Sequence, residues 1–84
     1  MDRERQRAEV ELNYDVFTRQ LSRMLRKHRN QFALMRDGKV VEYFSKPGEA
    51  NRAGIERFPD FIFSIQEVTD EPIDLGFWSH AASH

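Results

Sequence analysis

Apolar positions along this chain fall into patterned stretches separated by turn-forming residues. In the first, Val10, Tyr14, Phe17, Leu21, Met24 and Leu25, with His28 behind them, recur at alternating spacings of four and three, the period of an amphipathic helix. Asn13 offers an N-cap, Asp15 puts a negative charge in the first turn, and bases gather toward the last turn, so the pattern predicts a helix from Asn13. Residues 1–12 alternate acids and bases with little to bury and read as an N-terminal arm or a helix extension. The seam 10, 14, 17, 21, 24, 28 also has the period of a short coiled coil, but a helix covering its own sheet shows the same spacing over two or three turns.

The second stretch runs from Phe32 to Phe44 around Asp37-Gly38. That pair is what a two-residue type I′ turn demands, because both central residues need positive φ. Counting outward from the turn puts Arg36 opposite Lys39, Met35 opposite Val40, Leu34 opposite Val41 and Phe32 opposite Tyr43. Phe32, Leu34, Val41 and Tyr43 then share the core face, with Ala33, Met35, Val40 and Glu42 on the other. The like-charged pair Arg36 and Lys39 reads as a solvated turn or as an anion contact at the hairpin tip.

Ser45 as N-cap, Pro47 in the first turn and Glu49 at the positive dipole end open a second helix that stops at Phe58-Pro59. Its stripe Ala50, Gly54, Phe58 is small, small, large, and Gly54 in mid-helix points to a close approach to the sheet. A last strand follows over 61–68, with Phe61, Phe63 and Ile65 inward and Ser64 and Gln66 outward. The predicted fold is a single small α+β domain of order α-β-β-α-β. Its sheet is expected to be three-stranded and mixed, the last strand parallel to a hairpin strand, with both helices on one face.

Composition narrows the class. An 84-residue chain without cysteine holds one domain with neither disulfides nor thiolate metal sites, and at this size it buries only about 60 to 65% of its unfolded surface. No apolar stretch approaches a membrane span, and the charged start Met1-Asp2-Arg3-Glu4-Arg5 has no apolar segment behind it; the expected location is the cytoplasm, with no membrane partner. The net charge of −1 conceals two ends: residues 1–36 carry nine Arg or Lys against five Asp or Glu, and residues 37–84 carry four against nine. Such segregation marks a basic binding face, an acidic one, or two ends that meet.

The segment from Asp70 to His84 is the part a plain fold explains least. It holds the only tryptophan, Trp78, together with Ile73, Leu75 and Phe77, although tails are normally polar. Either it folds back over an open sheet face, in the same chain or across a dimer, or it is offered to another protein. Residues 70–84 are therefore treated as an acidic linker and aromatic tail, after a core at 13–69.

Candidate chemistry is sparse. Ser79 beside His80 lies in a tail that would hold the pair poorly for proton transfer. Asp70, Glu71 and Asp74 lack calcium-loop spacing, and His80 and His84 with distant His28 make a weak metal set. Gly38, Gly48, Gly54 and Gly76 are too dispersed for a phosphate loop. The reading therefore assigns no catalytic residue, metal, cofactor or small-molecule substrate. Arg19, Arg23 and Arg26, at i, i+4 and i+7, line the side of the first helix opposite its apolar stripe.

The stretches FALMRDGKVVEYF and EANRAGIERFPDFIFSIQEV, with the closing PIDLGFWSHA, resemble a family of short uncharacterised bacterial proteins. These combine a basic helix, a DG-K-VV hairpin, an Ala/Gly helix, an aromatic strand and a similar tail. The resemblance spans about residues 13–81. It implies a compact α+β domain from bacteria or their mobile elements, and it transfers no activity and no site residue.

The functional expectation is a non-enzymatic protein–protein interaction or regulatory module whose partner is another protein or a second copy forming a homodimer. Ile73, Leu75, Phe77 and Trp78 would anchor the partner, and Arg19, Arg23 and Arg26 would steer it. The alternative is a regulator that binds nucleic acid through the basic helix 18–30.

Overall fold

The computed structural model describes residues 3–70. The elements follow the expected order: α1 (Arg3–His28), β1 (Phe32–Arg36), β2 (Lys39–Phe44), α2 (Pro47–Arg57) and β3 (Ser64–Glu67). The strands lie in the order β2-β1-β3, and both pairings are antiparallel. The expectation of a mixed sheet is therefore corrected. The crossover through α2 does bring β3 back in the direction of β2, but it sets β3 beside β1 on the far edge, where every neighbour runs the opposite way.

The two helices lie on opposite faces of this sheet rather than on one. Ala33 and Met35 pack with Phe17 and Met24 of α1, while Leu34 packs with Ala50 of α2 and with Ile65. The cause is visible in β1, where Ala33, Leu34 and Met35 are all fully buried. A central strand with apolar residues at consecutive positions needs a cover on each side.

Asp37 and Gly38 have φ of 55° and 75°, as the type I′ turn requires. Beyond it the register departs from simple counting. Met35 faces Val40, but Leu34 faces Glu42 and Phe32 faces Phe44, because Val41 forms a bulge. One extra residue on one strand reverses every later side chain. Tyr43 therefore joins the α1 side, Glu42 the α2 side, and Val41 is exposed.

Helix α1 begins at Arg3, ten residues before the expected N-cap. Residues 3–12 are rich in good helix formers, Arg, Glu, Gln and Ala, and Asn13 lies fully buried within the helix instead of at its start. The entry to α2 differs as well. Lys46 is the N-cap without a side-chain bond, and Ser45 Oγ donates to Glu49 Oε1 at 3.3 Å.

Gly54 is buried, and a Cβ there would come within 2.5 Å of Phe63 Cε1, so the ring edge occupies the place of its side chain. Strand β3 is shorter than expected, and Phe61, expected within it, takes a φ of 62°, outside the extended region. Ser64 and Gln66, expected to face water, are buried on the α1 side. Among the described residues the Gln66 amide has no hydrogen-bond partner for either of its polar atoms.

Candidate functional site

The basic segment of α1 reaches solvent as the pattern required, yet its charges are unequally free. Arg19 is exposed and pairs with Asp15 one turn earlier. Arg23 and Arg26 are exposed and form no ion pair among the described residues. Just past the helix, Arg29 Nη1 lies 2.6 Å from Asp70 Oδ2. That contact brings the first acidic residue of the tail to the basic end of the helix, so the two oppositely charged halves of the chain meet there. Ile73, Leu75, Phe77 and Trp78 lie outside the described residues.

A polar cluster that the pattern did not reveal sits at the other end of α1. In a two-residue hairpin the central N–H groups point away from the ladder and need other acceptors. Asp37 N donates to Glu9 Oε2 at 2.7 Å, and Gly38 N donates to Asn13 Oδ1 at 2.6 Å. Asn13 Nδ2 in turn donates toward Glu9 Oε2, Met35 O and Ser64 Oγ, at 3.0, 3.2 and 2.8 Å. One amide thereby joins α1, β1, β3 and the turn. The signal that could have found it is the series Glu9, Asn13, Phe17, which shares one helical face once the helix is read from Arg3. The cluster is a latch within the fold, since the side chains that build it are all but closed to solvent: Glu9 is 6% exposed and Asn13 0%.

Arg36 is not the anion contact that the hairpin tip suggested. Its guanidinium donates to Asp60 Oδ1 and Oδ2, at 3.0 and 3.3 Å, and to Ile62 O at 2.8 Å. It also lies 4.8 Å from the centre of the Phe58 ring. These contacts pin the loop between α2 and β3 to the end of β1. The bond to Asp60 raises the Arg36 pKa. Asp60 is held below its ordinary value of 3.8, first by the Ile62 backbone N–H and then by Arg36.

A depressed folded-state pKa means stability that is present above the unfolded value and lost as pH falls through the folded one. The stability difference between the native chain and Asp60→Asn is thus expected to be fully developed above about pH 4. It should shrink on acidification below that point, as read from urea midpoints between pH 6 and 2. A difference independent of pH would show that the Asp60 charge contributes nothing.

At the end of α1, His28 stacks on Tyr43 with ring centres 3.5 Å apart, and its Nδ1 lies 2.6 Å from Gln31 Oε1. Burial pushes the Tyr43 phenol above its ordinary pKa. Among the described residues no three His, Asp or Glu side chains converge as a metal site would, and no helix is long and apolar enough to cross a membrane.

No family model matches this chain, and no curated protein or solved structure matches it either.

Proposed function

We propose that the protein is a non-enzymatic interaction module that binds an acidic protein surface, which the acidic half of a second copy can itself supply. The observation that carries this reading is the Arg29–Asp70 ion pair. It holds Asp70, the last described residue before the aromatic tail, at the end of α1 whose exposed Arg23 and Arg26 form no ion pair among the described residues, which supports a reading in which steering charges and apolar anchor act together. In this reading Arg23 and Arg26, with Arg19 at the margin, accelerate encounter, and Trp78 supplies the buried contact that holds the complex. A nucleic-acid partner is less favoured, because Asp15 and Asp70 stand within the same basic surface and would repel phosphate.

The test is association of the intact chain, followed by sedimentation equilibrium and by stopped-flow mixing at low and high salt. Trp78→Ala is expected to abolish association. Arg23→Ala should mainly slow it, about 2- to 10-fold, with a weaker dependence on salt. A chain that stays monomeric at every concentration while retaining a labelled DNA duplex through Arg23 would overturn the reading in favour of nucleic acid.

A further inference from the structure

The hairpin turn carries a reactive pair whose chemistry the fold holds in check. Asp37-Gly38 is the one place in the chain where glycine follows an aspartate or an asparagine. A glycine nitrogen has no side chain beside it to hinder attack on the carboxyl carbon of the preceding aspartate. That carboxylate is open to water, with 74% of the Asp37 side chain exposed, and Arg36 Nε lies 3.6 Å from its Oδ2.

The nitrogen, by contrast, is engaged. Gly38 N donates to Asn13 Oδ1 at 2.6 Å, and Asp37 N donates to Glu9 Oε2 at 2.7 Å. Asn13 is itself fixed, because its Nδ2 donates toward Glu9, Met35 and Ser64 and its side chain is fully buried. These bonds hold the turn to α1, with Asp37 and Gly38 at φ of 55° and 75°.

We propose that Asp37 is a site of spontaneous conversion to isoaspartate, kept closed by the Glu9–Asn13 latch and opened whenever the hairpin leaves α1. Gly38 N bonds to Cγ of the protonated Asp37 carboxyl. The N–H proton and the carboxyl OH leave as water, and a five-membered succinimide forms. Water then adds back. Cleavage of the bond from nitrogen to Cγ restores aspartate, whereas cleavage of the bond from nitrogen to the main-chain carbonyl carbon leaves the chain running through Cγ as isoaspartate. One water is lost and one regained, so the overall composition is unchanged.

The latch opposes the first step because the succinimide nitrogen carries no hydrogen. Ring closure from the latched turn would strand the buried Asn13 Oδ1 without a donor, so it should be about 5- to 150-fold slower than from an open turn. Once formed, isoaspartate lengthens the main chain by one carbon, and the two turn N–H groups can no longer both meet acceptors fixed on α1. Each opening of the hairpin thus carries a chance of permanent release, and this holds whatever partner the basic side of α1 binds.

Peptide mapping of the full chain, incubated for days near neutral pH, tests the proposal. The chain unfolded in urea should accumulate isoaspartate at residue 37, and the native chain should do so about 5- to 150-fold more slowly. Asn13→Ala should lose most of that protection, whereas Gly54→Ala, destabilised in the other core cluster, should keep it. The Gly38 amide should also exchange slowly with solvent in the native chain, unlike the amides of an unsupported turn tip. If Asn13→Ala does not fold, the full chain in sub-denaturing urea takes its place: Gly38 exchange and conversion should rise together ahead of the unfolding transition, and conversion that waits for that transition would overturn the latch. Equal rates in native and unfolded chains, no conversion in either, a freely exchanging Gly38 amide, or equal loss of protection in Gly54→Ala would each overturn it as well.

Discussion

Replacing Asn13 with alanine should destabilise the protein by about 3 kcal/mol, because it leaves several buried polar groups without partners at about 1 to 3 kcal/mol each. Gly38 N loses its acceptor, Ser64 Oγ loses its donor, Met35 O loses a donor, and Glu9 Oε2 loses one of two donors, keeping Asp37 N. No single neighbour can recover these bonds, since Asn13 is fully buried and its partners come from three separate parts of the chain. The measurement is urea unfolding. With a slope of about 1 kcal/mol/M for a domain of this size, the midpoint should fall by roughly 3 M. Glu9→Gln is the milder companion, expected to cost about 1 kcal/mol, because the amide oxygen can still accept from Asp37 N. Thr18→Ala on the exposed side of α1 sets the background. A loss at Asn13 no larger than that background would show that the latch does not hold the hairpin to the helix.

Gly54→Ala is expected to reverse the usual effect of that substitution. In an exposed helix interior alanine gains about 1 kcal/mol over glycine. Here the new methyl would sit 2.5, 2.7 and 2.9 Å from three atoms of the Phe63 ring. The ring is wedged beside Leu34, Ala50 and Phe58, so its displacement should cost more than the gain and leave a net loss of about 1 to 3 kcal/mol. A double-mutant cycle isolates the cause. In a Phe63→Ala background the same change should become stabilising by about 1 kcal/mol, because only helix propensity then remains. Equal effects in both backgrounds would place the penalty somewhere other than the ring.

These residues also show which kinds of statement a linear pattern can carry. The Asp37-Gly38 turn was legible because its cause is local: positive φ at two adjacent positions depends on those residues alone. The stripe Ala50, Gly54, Phe58 was legible for a similar reason, since its spacing already marks the side of α2 that must approach something. The bulge at Val41 was not, because Val41 suits a strand in either register and the displacement arises from neighbours on both faces. Asn13 was misplaced because its type favours helix starts; only the convergence of β1, β3 and the turn makes a buried mid-helix amide profitable to the fold. Ser64 and Gln66 read as solvent-facing because alternation distinguishes two faces without saying that a second helix covers the polar one.

The candidate surface divides in the same way. That Arg19, Arg23 and Arg26 share a side of α1 follows from helical periodicity. Which of them are free does not, since Asp15 occupies Arg19 and Asp60 occupies the Arg36 that had resembled an anion contact. The meeting of Arg29 with Asp70 joins residues far apart in the chain, and only the path of β3 brings them together.

By itself, then, the order of residues determined the succession α-β-β-α-β, the hairpin turn, the end of α2 and the exposed basic side of α1. Each depends on interactions within about one helical turn or one pair of neighbours. The tertiary structure alone decided that the sheet is antiparallel with β1 at its centre, that the helices cover opposite faces, and that Glu9 and Asn13 close the hairpin. Those choices depend on contacts between distant segments, where burial on both sides of β1 and the demand of every enclosed polar group for a partner outweigh local preference.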